Sequence, residues 1–197
     1  MPRNAQGPPA AQAPPAARRL ARGARRRQLL AAALPLVARH GFADFSLDGL
    51  SERVGVTRNL LYHYFPRGRA DVVLAVVRES RRQLSTGTEV SSPLPIPPQM
   101  VDHALAPTHA WRIYRLARAT ADPEIRDIVE DVVDGAVRAL ADQAGIESPS
   151  VLTQVALRGY VAFAESLLDE ARAAGIPRQD VVRVLGGTLA AIVPASR

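Results

Sequence analysis

The stretch GVTRNLLYHYF, residues 55–65, gathers residue types that contact nucleic acid. The Arg58 guanidinium can donate two parallel hydrogen bonds to the N7 and O6 of a guanine, and the Asn59 amide can pair with adenine's acceptor and donor. Tyr62 and Tyr64 can donate their hydroxyls to phosphate oxygens, and His63 can reach either a phosphate or a base edge. The tyrosines have a second use, as core residues whose hydroxyls stay wet.

These side chains can act together only if a short helix presents them. Thr57 is a helix N-cap residue, with Val56 and Leu61 facing inward and Phe65 anchoring the far end. Gly55 supplies the turn before it, and Ser46 caps a preceding helix whose Leu47, Leu50 and Val54 share one face. Helix, glycine turn and helix make a helix-turn-helix, whose second helix enters the DNA major groove with its N-terminal residues at the base edges.

Around this unit the periodicity is helical throughout. Leu29, Leu30, Ala33, Leu34 and Val37 predict a helix over 25–40, kinked at Pro35 and stopped by Gly41, and Val72, Val73, Val76 and Val77 predict another over 70–84. Residues 85–98, rich in Ser, Thr and Pro, read as a linker. Beyond them Ile125, Ile128, Val129, Val132, Val133, Ala136, Val137 and Leu140 mark a long amphipathic helix, and two more are expected over 149–174 and 177–193. No strand alternation of useful length is present, so the fold class is all-α.

The charge is uneven. Residues 1–82 carry 15 arginines against 5 acids, and residues 83–197 carry 10 against 14, within a net +6. The front half suits a polyanion and the back half does not. The chain holds neither lysine nor cysteine, which excludes a Walker A loop, a Schiff-base lysine, a thiolate nucleophile and a zinc finger. Residues 1–24, rich in Pro, Ala and Arg, read as a disordered basic arm, either inert or in contact with phosphate.

Residues 25–78 resemble the DNA-binding domain of the TetR family of bacterial transcriptional regulators. The resemblance rests on HGF at 40–42, on SLDGLSERVGVTRNLLYHYF at 46–65 and on the helix that follows. It implies a DNA-contacting set of Ser46, Thr57, Arg58, Asn59, Tyr62, His63, Tyr64, Arg67 and Arg69. Family members usually carry a phosphate-binding lysine three residues after the phenylalanine. Here that position is Gly68, so Arg67 or Arg69 is expected to take over the contact.

The resemblance also implies a domain order: arm 1–24, DNA-binding domain 25–84, linker 85–98, and a ligand-binding and dimerisation domain 99–197. In such a domain Trp111 and Tyr114, joined by Met100 and His103, would line a small-molecule pocket, unless the two aromatics simply fill core. Leu152, Ala156, Gly159, Phe163 and Leu167 on one helix, with Leu185, Leu189 and Ile192 on the next, would form a homodimer interface. RGYVAFAESLLDEA at 158–171 resembles a family dimer helix. The dimer would set two recognition helices roughly 34 Å apart on a near-palindromic operator. Arg112, Arg115 and Arg118 are expected to form a solvated stripe, and so is the carboxylate face of Asp127, Glu130, Asp131 and Asp134.

The expected protein is therefore a cytoplasmic, ligand-responsive repressor that binds a double-stranded DNA operator as a homodimer, without metal, cofactor or membrane association. Two rival readings are kept. Residues 25–38 place an arginine cluster before a ten-residue apolar stretch, as a twin-arginine export signal does, although Arg39 and His40 follow at once. A small helical enzyme is the other, drawing on His63, His103, His109 and the carboxylate face, but no nucleophile–base pairing, HExxH or phosphate loop supports it.

Overall fold

The computed structural model describes residues 15–85, 98–106 and 108–193, all in helices and short turns. The helices in chain order are α1 (Pro15–Asp44), α2 (Leu47–Val54), α3 (Arg58–Tyr64), α4 (Arg69–Ser85) and α5 (Pro98–Leu105). They continue with α6 (His109–Arg118), α7 (Pro123–Gln143), α8 (Val151–Ala174) and α9 (Arg178–Ile192). The all-α expectation holds.

Local chemistry accounts for most of the boundaries. Ser46 Oγ accepts from the Gly49 amide at 3.1 Å to start α2, and Thr57 Oγ1 accepts from the Leu60 amide at 3.4 Å to start α3. Asp122 caps α7 ahead of Pro123, with its carboxylate accepting from the amides of Glu124 and Ile125. Ser150, rather than the neighbouring proline, caps α8.

One expectation needs correction at the front of the chain: the expected basic arm reaches residue 24, but α1 already begins at Pro15. Pro15 can occupy a first helical turn, and Ala16, Ala17, Arg18, Arg19, Leu20, Ala21 and Arg22 behind it are mostly strong helix formers. Residues 1–14 of the expected arm lie outside the described residues. The backbone leaves helical geometry at Gly41 (φ 79°, ψ 177°), where the stop was expected, and Pro35 lies inside the helix. The expected linker falls, apart from its ends, outside the described residues.

A single buried cluster runs through both halves of the chain. Leu29, Leu30, Ala33, Leu34 and Val37 of α1 meet Phe45, Leu50, Leu61 and Phe65 of the helix-turn-helix and the valines of α4. The apolar stretch that imitates an export signal is thus the floor of this core. Helix α4 packs on α1, α6 and α7; α1 also packs on α6; and α8 joins α5, α7 and α9. The front half is therefore carried on α6 and α7 through α1 and α4. Among the described residues no helix is long and apolar enough to cross a membrane.

Candidate nucleic-acid interface

The turn between α2 and α3 is closed by backbone and side chain together. Gly55 takes the left-handed conformation (φ 66°, ψ 42°), which glycine adopts without a Cβ penalty. The Val56 amide bonds back to the Ser51 carbonyl at 3.1 Å, and Ser51 Oγ donates to the Val56 carbonyl at 2.6 Å. Leu61 and Phe65 are buried behind this turn, so the opposite face of α3 must look outward.

That outward face carries the expected residues. Thr57, Arg58, Asn59, Tyr62 and His63 are exposed, and Tyr64 is half-buried. Tyr62 leaves 46% of its surface open, enough for its hydroxyl to meet a phosphate. Tyr64 packs edge-on to His63, with ring centroids 5.1 Å apart, and the Arg22 guanidinium of α1 lies 6.0 Å from the Tyr64 centroid. Arg26, one turn on, sits 5.2 Å from the Phe65 centroid. The start of α1 thus brings two arginines beside the end of α3, a placement that sequence spacing did not reveal.

Three contacts on this face were also not foreseen. Arg58 is paired with Asp48 of α2: its Nε and Nη2 both face the carboxylate, and both side chains remain more than half exposed. Arg67 donates its amide to Asp71 Oδ2 at 2.8 Å and its Nε to Asp71 Oδ1 at 2.7 Å. Its Nη1 reaches both oxygens of Glu124 on α7, at 3.1 and 3.0 Å. Arg69 donates to the Ala43 carbonyl at 2.6 Å. The Arg67 amide, then its side chain, hold the Asp71 carboxyl below the usual carboxylate range.

Gly68 explains the departure at the lysine position. Its φ is 63°, its amide closes a turn onto Phe65 O at 2.8 Å, and a Cβ there would meet Tyr62 Cε1 at 3.0 Å. A lysine side chain has no comfortable place in this turn, and the two flanking arginines are the cations nearest in sequence.

In the back half, Trp111 and Tyr114 lie in the core, their rings 5.6 Å apart, and both are tied to α8. Trp111 Nε1 donates to Asp169 Oδ1 at 2.8 Å, and the Tyr114 hydroxyl donates to Glu165 Oε1. Glu165 is 6% exposed and also accepts from Arg115 and Arg118, each at 3.0 Å, while Arg115 Nε pairs with Asp169 at 2.7 Å. The arginine stripe therefore needs correction: Arg112 is exposed, but Arg115 and Arg118 bridge α6 to α8. Burial, followed by the charge and hydrogen bond of Glu165, pushes the Tyr114 phenol far up, so its hydroxyl remains a donor. His103 is half-buried and its carbonyl accepts from Thr108, whereas the side chain of Met100 lies outside the described residues.

On the carboxylate face of α7 Asp127 is exposed, as expected, but three of its members are engaged by arginines. Asp131 pairs with Arg81 of α4 at 3.1 Å, and Glu130 and Asp134 both pair with Arg158 of α8. Among the described residues no group of three or more His, Asp or Glu side chains is placed to hold a metal ion.

The expected interface residues divide. Leu152 is 78% exposed, Phe163 and Gly159 are exposed, and Ala156 is half-buried. Leu167, Leu189 and Ile192 are half-buried against the chain's own core. Leu185 is a correction, since it lies inside that core and its carbonyl accepts from the Tyr160 hydroxyl at 3.0 Å. Val151, Val155 and Val184, not singled out from the sequence, extend the exposed apolar surface of α8 and α9.

Comparison with known proteins bears on the front half most directly. Residues 29–76 match the profile of bacterial regulatory proteins of the tetR family. No curated protein matches the sequence significantly. Among solved structures, a tetR-family transcriptional regulator from Streptomyces coelicolor is similar over 86% of this chain and 80% of its own, with a TM-score of 0.64 at 22% identity. A TetR transcriptional regulator from Rhodococcus sp. RHA1 aligns over 88% of this chain and 99% of its own, with a TM-score of 0.55 at 22% identity. The regulator FadR from Bacillus subtilis, in complex with stearoyl-CoA, aligns over 87% and 99%, with a TM-score of 0.52 at 14% identity. At these identities the likeness is one of fold.

Proposed function

We propose that the chain is a regulator of the tetR family, whose profile its residues 29–76 match, and that it binds a double-stranded operator as a homodimer and represses transcription until a small molecule releases it. The observation that carries this reading is the braced, outward-facing first turn of α3. Thr57 caps it, Leu61 and Phe65 root it, and Arg58 and Asn59 stand exposed at its start. In that placement Arg58 and Asn59 read base edges, while Ser46, Tyr62, His63 and the arginines around Gly68 hold the phosphate backbone.

Support for a homodimer comes from α8 and α9. Val151, Leu152, Val155 and Phe163 form an apolar stripe along α8, and Gly159 leaves open space within it. Such a stripe on an otherwise charged chain favours burial against a second copy, with isologous contacts.

Support for a ligand response comes from the packing of α6 and from one relative. The Bacillus subtilis regulator is seen with stearoyl-CoA, and a site between α6 and α8 in this chain would adjoin Trp111 and Tyr114. A ligand there that exchanged the ties to Glu165 and Asp169 for its own contacts would shift α6 against α4. The shift requires only that the ligand bind the two arrangements with different affinity.

The test is binding of the purified chain to DNA upstream of its own coding sequence and to a scrambled duplex, across a salt series. Operator recognition requires tighter binding to the upstream fragment that survives moderate salt. Arg58→Ala should lower the preference, while Arg69→Ala weakens both duplexes and reduces the salt slope. Equal losses on both duplexes for Arg58→Ala would remove base reading from the proposal.

A further inference from the structure

We propose that Asp48 is a specificity-determining residue that fixes the Arg58 guanidinium in the orientation needed to read guanine. The inference rests on the reading that α3 faces the bases, and adds a residue on α2 that neither motif nor spacing singles out.

The Arg58 guanidinium can be shared between two partners. Arginine carries five N–H groups in a planar fork. Asp48 accepts from the side edge, with Oδ1 facing Nε and Oδ2 facing Nη2. That leaves both N–H groups of Nη1 and the second of Nη2, and the end edge formed by Nη1 and Nη2 is the pair that matches guanine O6 and N7. A carboxylate on the side edge therefore does not compete with the base; it selects which edge faces it.

Burial points the same way. Arg58 and Asp48 are both more than half exposed, with side-chain exposures of 57% and 59%, so no surrounding wall of side chains fixes the rotamer. Without Asp48 the long side chain would sample many rotamers, and it would meet base and phosphate alike. The position of Arg58 at the first residue of α3 adds a second reason for an acid nearby, because a cation is unfavourable at a helix N-terminus. Ordering the guanidinium before DNA arrives lowers the entropy lost on contact. The carboxylate also repels phosphates, so its effect on affinity and on selectivity should differ in sign.

The experiment is selection from a randomised duplex pool with the full chain, its Asp48→Asn and Arg58→Ala variants and the double variant. Each is also assayed for affinity on one fixed random duplex. The wild type should enrich a guanine at one position per half-site, and Arg58→Ala should lose it. Asp48→Asn should relax that same position by roughly tenfold in preference and leave the others unchanged, while its affinity for the random duplex rises. In the Arg58→Ala background Asp48→Asn should change no base preference, an outcome that a merely structural acid would not produce. Asp48→Glu, which keeps the charge but moves it by one methylene, should be intermediate.

Asp48→Asn that keeps the guanine, or that binds its selected site more tightly and more selectively, would overturn the proposal, since Asp48 would then be irrelevant or would be holding Arg58 away. Relaxation at a cytosine elsewhere would overturn it too, as direct reading by the carboxylate. A wild-type chain that enriches no sequence, or an Arg58→Ala variant that changes none, would remove base reading by Arg58 itself and the role of Asp48 with it.

Discussion

Replacing Gly68 with alanine tests the geometry that holds the recognition helix to α4. An L-residue in the left-handed region costs about 1–2 kcal/mol, and Gly68 sits there at φ 63°. The added Cβ would stand 3.0 Å from Tyr62 Cε1 and 3.3 Å from Leu47 Cδ1, inside ordinary contact distance. Leu47 is buried and gives little, whereas Tyr62 is 46% exposed and can swing outward. The stability loss is thus set mainly by the dihedral, at about 1–2 kcal/mol. At about 2–4 °C per kcal/mol for a chain of this length, the melting temperature should fall by roughly 2–8 °C.

The functional loss has a different origin. If Tyr62 donates to phosphate as proposed, a displaced ring would lose that bond, and a hydrogen bond to a charged acceptor is worth about 1.5–3 kcal/mol, so DNA affinity should fall at least tenfold on specific and random duplexes alike. Gly68→Asn separates the two effects. Asparagine tolerates the left-handed region but still carries a Cβ, so it should recover much of the melting temperature and little of the DNA affinity. Thermal unfolding by circular dichroism and fluorescence anisotropy on a labelled duplex read the two quantities. Wild-type melting and wild-type affinity for Gly68→Ala would refute the reasoning, because the turn would then accept a Cβ freely.

Two further outcomes follow from buried and half-buried carboxylates. Glu165→Ala strands the Tyr114 hydroxyl, Arg115 and Arg118; breaking a buried pair costs about 3–5 kcal/mol, which the part-exposure of both arginines reduces to about 2–4, while Glu165→Gln, keeping one acceptor, should lose less in urea unfolding. Asp71 has its carboxyl held below the usual range by the Arg67 amide and side chain, so its contribution is fully present above the unfolded value of about 3.9 and is lost as pH falls through the lower folded value. Asp71→Asn should accordingly destabilise at pH 7 and approach the wild type in acid, and a stability difference independent of pH would count against the pairing.

What the sequence disclosed and what it withheld follow one division. The helix-turn-helix was legible because Ser46, Gly55 and Thr57 act within four residues of themselves, through caps and a left-handed turn that residue type specifies. The inward face of α7 was legible because periodicity is also local: Ile125, Ile128, Val129, Val133, Val137 and Leu140 are all buried. The stripe at Arg112, Arg115 and Arg118 was misread because the partners of two of its members lie about fifty residues on, at Glu165 and Asp169. Asp48 was passed over for the same reason, since nothing between residues 48 and 58 marks the two as partners. Leu185 failed differently: a leucine on a helix flanked by small residues suits a second chain as well as its own core, and only the packing of Tyr160 decides between them.

The charge imbalance along the chain gains a second meaning from these pairings. The excess of arginine in the front half first suggested only an affinity for polyanions, but part of it is engaged by the acidic back half. Arg67 reaches Glu124 and Arg81 reaches Asp131, both on α7. The carboxylates of α7 thus stand to the front half as phosphates would, at fixed positions and within the same chain. Arg67 lies next to the turn that fixes α3, so if it holds phosphate as proposed, phosphate and Glu124 would draw on one guanidinium. Because the Arg67–Glu124 pair is exposed, salt weakens it, and the ionic-strength dependence of the proposed DNA binding would then contain an intramolecular part as well as counterion release. The chain couples its two halves with the same charges that it would use to hold DNA.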